Sequence, residues 1–266
     1  MEGNSRKKLI GRIAMRFTKM QGLGNDYLYF YGEAPANAPA LSRRLSDRHF
    51  GPGADGLIFI APSDRADFSM RIFNADGSEA RMCGNGIRCV GKYVYDKGYT
   101  QKTELLIATG SGLRRLKLRV ENGRAVSAAV DMGAAVVTPG ADGDLVEIGN
   151  PHLVVFVPDA EGAPLETEGP RRSASVPGGI NVEFVSPCGP NRLRMRVWER
   201  GSGVTLACGT GACAAAAAAV RRGLCAAGQP VEVRLDGGLL RITVDAAGRV
   251  RMEGPAETVY EGEIEL

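Results

Sequence analysis

RIFNADGSEARMCGNG, residues 71–86, lies over RVWERGSGVTLACGTG, residues 196–211, without a gap when the chain is shifted by 125 positions, and the shift pairs Cys83 with Cys208. The same offset lays GNDYL (24–28) over GNPHL (149–153) and PGADGLIF (52–59) over PGGINVEF (177–184). One constant offset across three separated blocks marks two copies of one structural unit. Each copy carries a cysteine in a Cys-Gly-x-Gly setting. The duplication therefore implies two near-equivalent thiols facing one another across a pseudo-twofold axis.

The 266 residues divide into two such units, in keeping with about 100–150 residues per domain. We read residues 1–14 as an extension, 15–129 as the first unit, 130–255 as the second, and 256–266 as a last strand free to join either sheet. Short β-branched and aromatic runs recur through both units, including DYLYFY (26–31), GLIFIA (56–61), HLVVFV (152–157) and INVEFV (180–185). Gly, Pro, Asn and Asp bound most of them, as expected of half-buried strands. LSRRLSDRHF (41–50) reads as a surface helix after Pro39. NGIRCVGKYVYDKG after Cys83 and TGACAAAAAAVRRG after Cys208 read as helices ending at Gly98 and Gly223, where left-handed C-terminal caps belong. The six alanines 214–219 make a slim helix suited to the crowded inside of a curled sheet. The expected fold is α/β of the α+β type: two pseudosymmetric domains, each a strongly curved, largely antiparallel sheet or barrel around a central helix.

Composition narrows the function. Apolar residues make up 44% of the chain, and 33 basic against 30 acidic side chains leave a net charge of +3 with no basic, aromatic-interleaved stripe. Nucleic acid is therefore not expected as a partner. Neither is a membrane, since no apolar run reaches the roughly 18 residues a span needs. Residues 1–14 lack the apolar core of a secretion signal, and six cysteines without one point to reduced thiols in the cytoplasm. No metal site is expected, because no C-x-x-C occurs and His49 and His152 stand apart from the cysteines. Cys89, Cys188, Cys213 and Cys225 read as small buried apolar residues.

Cys83 and Cys208 are different, because each opens a helix. Free amides and the helix dipole there favour negative charge, which should lower both thiol pKa values. Gly84, Gly86, Gly209 and Gly211 let backbone approach a ligand closely. Two such helix starts set opposite each other would hold a carboxylate between them, with a thiol on each face of its α-carbon. Donors aimed at the carboxylate stabilise the carbanion formed when the α-proton leaves. One thiolate takes that proton and the other thiol returns one to the opposite face, so no pyridoxal lysine is needed.

FTKMQGLGNDY (17–27), FNADGSEARMCGNGIRC (73–89), GNPH (149–152), GINVEFV (179–185) and VWERGSGVTLACGTGAC (197–213) resemble the signature blocks of the diaminopimelate epimerase family. The likeness extends over nearly the whole chain from Met15. It implies a cofactor-independent enzyme of lysine and cell-wall precursor synthesis that interconverts LL- and meso-diaminopimelate, commonly as a homodimer. By this resemblance Cys83 and Cys208 are the acid/base pair, and Cys83 acts on the LL form. The amides of Gly84, Asn85, Gly209 and Thr210 hold the reacting carboxylate, with His152 and Glu199 near its amino group. Asn25, Asn74, Asn150, Asn181 and Arg200 read the distal end. Alone, Asn25 and Asn150 would pass for turn asparagines, His152 for a structural histidine and Glu199–Arg200 for a surface pair. Three positions depart from the family pattern: Gln21 stands where histidine is common, Gly56 where glutamine is, and Val204 where an acidic residue is. A histidine racemase, a hydroxyproline epimerase-like enzyme and a catalytically silent binding protein are the competing readings.

Overall fold

The computed structural model describes residues 14–265, so the stretch 1–13 and Leu266 lie outside the described residues. The first half runs β1 (Ala14–Gly22), β2 (Asn25–Tyr31), α1 (Ala38–Leu45), β3 (Gly56–Pro62), β4 (Phe68–Asn74), β5 (Glu79–Ala80), α2 (Gly84–Asp96), β6 (Glu104–Thr109), β7 (Gly112–Glu121) and β8 (Arg124–Ala134). The second runs β9 (Val136–Thr138), β10 (Asp144–Glu147), β11 (Pro151–Phe156), α3 (Leu165–Ser173), β12 (Asn181–Gly189), β13 (Arg192–Glu199), β14 (Gly203–Thr205), α4 (Gly209–Arg221), β15 (Pro230–Leu235), β16 (Gly238–Val244) and β17 (Arg249–Pro255), and β18 (Glu257–Glu265) closes the chain. A shift of 125 carries α2 onto α4 residue for residue.

The hydrogen-bond pattern repeats too. The β2–β3 and β4–β6 pairs are parallel, as are β11–β12 and β13–β15, and the other ladders are antiparallel. The halves join where β8 pairs with β17, with Ser127 opposite Pro255 and Val130 opposite Met252. Shifting either pair by 125 yields the other, as a twofold axis through this ladder requires. The 129/130 division thus falls inside β8, a strand bonded to β7 on one edge and β17 on the other. The strands that follow the seam occupy equivalent edges, and the second of them crosses back to the first half. β9, which follows β8 in the chain, pairs with β10, while β18, which follows β17, pairs with β1.

Both central helices are swallowed by their sheets. Gly84 to Gly91 of α2 are all buried, and Ala214 to Ala219 of α4 are at most 3% exposed. Alanine at each of these positions lets strands approach α4 from every side while keeping helix propensity high. Gly98 (φ +77°) and Gly223 (φ +74°) take the left-handed conformation that ends the two helices. A basic side chain fills the last turn only in α4, with Arg221, whose counterpart in α2 is Asp96; the caps themselves, Lys97 and Arg222, are basic in both.

Three local expectations are revised. α1 begins at Ala38 with Pro39 in its first turn and stops at Leu45. Beyond it, the Asp47 carboxylate accepts from the amides of His49 (2.7 Å) and Phe50 (2.9 Å), which holds a turn in place of further helix. α3 escaped notice because it contains Pro170 and Gly169, although the shift carries α1 onto it. A Cβ at Gly169 would come within 2.6 Å of Trp198, so the helix breaker is a packing requirement. Cys188 is exposed at the end of β12, whereas Cys89, Cys213 and Cys225 are buried as read. Among the described residues no helix is long and apolar enough to cross a membrane.

Ala216, fully buried in α4, reports on this confinement. Ala216→Leu is expected to cost about 1–3 kcal/mol by overpacking, seen as a lower urea midpoint with an unchanged slope. A midpoint equal to that of the parent chain would contradict the tight enclosure.

Candidate active site

Cys83 and Cys208 are the N-caps of α2 and α4, both in extended backbone conformation (φ −137° and −118°). Each sulfur accepts the amide of the third residue on, Gly86 or Gly211, at 3.3 Å. The thiols thus do for a helix start what a serine or aspartate oxygen usually does. The two starts abut. A Cβ at Gly84 would lie 3.8 Å from the Gly209 Cα, and one at Gly209 would lie 3.4 Å from Asn85 Oδ1. Met252 of β17 packs beneath both glycines, and Asn85 Nδ2 crosses to donate to the Ala207 carbonyl at 3.4 Å. A Cβ at either glycine would crowd Met252 first, at 3.0 Å from position 84 and 3.1 Å from position 209.

Around the shared pair the halves diverge. The Cys83 thiol donates to Asn25 Oδ1 at 3.2 Å, and Asn25 Nδ2 donates to Asp55 at 2.7 Å. Cys208 instead lies 3.5 Å from the Thr210 hydroxyl, beside His152 and Glu183. His152 Nδ1 and Glu183 Oε1 are 2.7 Å apart with both side chains fully buried, and His152 Nε2 and Glu183 Oε2 have no partner. The Thr205 hydroxyl donates to the Glu199 carboxylate, which faces Cys208. His152 and Asn181 are register partners on the parallel β11–β12 pair. Asn181 Oδ1 accepts the Arg200 amide at 2.8 Å, and the Arg200 guanidinium rests on the carbonyls of Gly178 and Gly179. Asn74 is tied at the end of β4 to Ser78 (3.0 Å). Asn150 stands just before β11, and its side chain makes no hydrogen bond among the described residues.

Glu183 is the site residue the sequence reading missed. Its signal was available, because the shift pairs it with Ile58, and an acid inside the apolar run INVEFV calls for a partner. Together the pairs Tyr27/His152 and Ile58/Glu183 put an apolar-aromatic wall behind one thiol and a carboxylate–imidazole pair behind the other. His152, distant from every cysteine in sequence, is brought by the fold to Cys208. Sγ, an imidazole nitrogen and a carboxylate oxygen there lie within 4.8 Å of one another, a donor set able to hold a metal ion.

The expected lowering of both thiols is reversed. Burial pushes the Cys83 thiol up, opposed by the Gly86 amide, the Tyr27 hydroxyl, the Asn85 amide and the Arg88 charge. Cys208 goes well above the ordinary thiol value, through burial first and then the negative charges of Glu199 and Glu183. Desolvation outweighs the helix-start amides at both, and at Cys208 two carboxylates add to it.

The departures from the family pattern have structural settings. A Cβ at Gly56 would sit 2.2 Å from the Phe73 carbonyl and 2.9 Å from the Tyr27 ring, so the backbone here leaves no space for a side chain. Gln21 accepts the Gly24 amide at 2.8 Å and donates to Glu257 of β18 at 2.7 Å, bracing the loop before Asn25. Val204 is 40% exposed on β14, and nothing in the structure explains the loss of an acid there.

A duplicated sheet-and-helix unit that brings two helix-capping thiols together defines an isomerase of the two-domain epimerase class. Solved structures share the fold: a hydroxyproline epimerase from Agrobacterium vitis superposes with a TM-score of 0.71 at 18% identity, covering 95% of this chain and 91% of that one. A phenazine biosynthesis protein from Bacillus anthracis gives 0.78 at 15% identity, over 96% and 100%. The diaminopimelate epimerase family model matches residues 17–138 and 145–259. A diaminopimelate epimerase from Bacteroides thetaiotaomicron is 50% identical over 94% of this chain and 98% of its own length. One from Methanococcus maripaludis is 45% identical over 95% and 100%. This chain belongs to the diaminopimelate epimerase family.

The unequal surroundings make the thiols distinguishable. In mass-mapped alkylation against pH, Cys83 is expected to react with a lower midpoint than Cys208. Glu199→Gln should move the Cys208 midpoint down, because it removes a negative charge that opposes the thiolate. A Cys208 midpoint below that of Cys83, or one indifferent to Glu199, would contradict the assignment.

Proposed function

We propose that this chain interconverts LL- and meso-diaminopimelate by removing the α-proton with one thiolate and delivering a different proton from a second thiol to the opposite face of the carbon. The observation that carries the reading is the placement of Cys83 and Cys208 as N-caps of two abutting helices. In the direction from the LL form, the Cys83 thiolate takes the α-proton. The Cys208 thiol gives its proton to the opposite face of the carbon and is left as thiolate. The environments suit these roles, since burial and the charges of Glu199 and Glu183 disfavour the Cys208 thiolate, while the charge of Arg88 favours that of Cys83. Each turnover exchanges the protonation states of the two thiols, so the same pair serves the reverse direction with roles inverted.

The amides of Gly84, Asn85, Gly209 and Thr210 bind the reacting carboxylate, where negative charge grows as the proton leaves. His152 and Glu199 flank the amino group. The distal amino-acid end falls to Asn25, Asn74, Asn150, Asn181 and Arg200, with the Arg200 fork gripping the far carboxylate. Asn25 also carries the Cys83 thiol, so one residue couples the reading of the substrate to the base. The enzyme acts in the cytoplasm with all six cysteines free. It works as a homodimer, for which the outer edge of β18 offers exposed Val259 and Tyr260.

The test supplies purified protein with LL-diaminopimelate, L-histidine, L-proline and trans-4-hydroxy-L-proline, without added cofactor, and follows products by chiral chromatography. Only diaminopimelate should be epimerised, and Cys83→Ala and Cys208→Ala should each lower turnover by about 100-fold or more. Turnover of histidine or of a proline in place of diaminopimelate would overturn the substrate. Full activity in either cysteine variant would overturn the mechanism.

A further inference from the structure

Arg88, in the second turn of α2, is fully buried, and among the described residues its guanidinium hydrogen-bonds to no carboxylate. Nη1 donates to the Gly84 carbonyl at 3.1 Å and lies 3.7 Å from Met252 Sδ, and Nε donates to the Pro255 carbonyl at 3.1 Å. Nη2 has no acceptor among the described residues. The ionisable groups that face it are Cys83 and Cys89 of α2, Tyr29 of β2 and Cys213 of α4, all uncharged when protonated. From β17 it meets a carbonyl and a thioether. An isolated buried cation is strongly disfavoured unless something repays its desolvation.

The fold itself does not require a cation here. The shift pairs Arg88 with Cys213, which is fully buried at the equivalent place in α4. The surroundings are nevertheless shaped to admit the guanidinium. A Cβ at Gly22 would lie 2.9 Å from Nη2, and one at Gly254 would lie 3.1 Å from Nε. The chain therefore keeps a costly charge in one copy alone, beside the start of the helix that Cys83 caps.

We propose that Arg88 is a positioning residue of the epimerisation site, fixing the Gly84–Asn85 peptide and holding the positive charge that the bound carboxylate and the Cys83 thiolate neutralise. The Gly84 carbonyl and the Asn85 amide belong to one peptide unit. A cationic donor on the carbonyl polarises the N–H on its other side, which strengthens it toward an anion. The role at the carboxylate rests on the diaminopimelate reading above; the role at Cys83 does not. Its contacts with Pro255 and Met252 tie α2 to β17, so Arg88 also holds its peptide in register with the second half of the molecule.

Arg88→Met and Arg88→Lys test this in the full-length protein. The measurements are kcat and KM for diaminopimelate, the urea midpoint, and mass-mapped alkylation of Cys83 against pH with exposed Cys188 as internal control. Arg88→Met removes an unpaired buried charge, so its urea midpoint should be no lower than that of the parent chain. Its kcat should fall at least about tenfold, and its Cys83 midpoint should rise by ~1 pH unit with Cys188 unmoved. Arg88→Lys keeps the charge but cannot reach both carbonyls, so its Cys83 midpoint should stay near the parent value while kcat still falls. An unchanged Cys83 midpoint in Arg88→Met, or turnover within twofold of the parent in Arg88→Lys, would overturn the proposal. Should Arg88→Met not fold, Arg88→Lys decides alone by its kcat. Cys83 alkylation needs no substrate, so failure of the diaminopimelate assignment would leave that readout intact.

Discussion

Contact between two helix N-termini organises this molecule. Such ends carry unsatisfied amides and partial positive charge, and pressing two together is unfavourable unless something negative enters between them. The glycines at 84 and 209 permit the approach, and Met252 supports both from below. The sulfurs of Cys83 and Cys208 satisfy one amide each. The helices can be held so deeply because the sheets wrap them completely and because the β8–β17 and β18–β1 ladders lock the halves together. Under the proposed function, a carboxylate bound at these ends would meet the remaining amides with a thiol on either side.

Duplication supplies symmetry for the proton, and divergence between the copies supplies the rest. The features the copies share are the cysteines, the helix-start glycines and the strand-opening asparagines. At four positions where they differ, the second half holds polar groups opposite aromatic, apolar or absent side chains: His152 against Tyr27, Glu183 against Ile58, Asn181 against Gly56, Arg200 against Ala75. Arg88 against Cys213 runs the other way, with the charge in the first half. The result is a site with carboxylates behind one thiol and a cation near the other, a distribution suited to two thiols in opposite protonation states.

Much of this was legible in the amino-acid order because the shift of 125 is unbroken through both units. It marks the paired helices and their capping cysteines, and the β-branched runs mark most strands. Features that depend on what packs against a residue were not legible. α3 hid behind Gly169 and Pro170, the former required by the Trp198 side chain. The pKa direction of the thiols was misjudged because burial, which outweighs the helix-start amides, is a property of the whole wrapped sheet. Glu183 and Arg88 read as ordinary members of a strand and a helix until their complete burial and missing partners came into view. Cys188, at the end of an otherwise buried strand, went the opposite way and proved exposed.

The central claim is that two different thiols serve the two faces of one carbon, and hydrogen isotope flow at low conversion tests it most directly. LL-diaminopimelate would be incubated with the enzyme in D₂O and both isomers analysed by mass spectrometry within the first few per cent of reaction. The two-thiol site predicts deuterium at the α-carbon of the meso product while unreacted LL isomer keeps its original hydrogen. Meso product that retains the substrate's own hydrogen, or LL isomer that gains deuterium as fast as product forms, would mean that a single group handles both faces and would contradict the account.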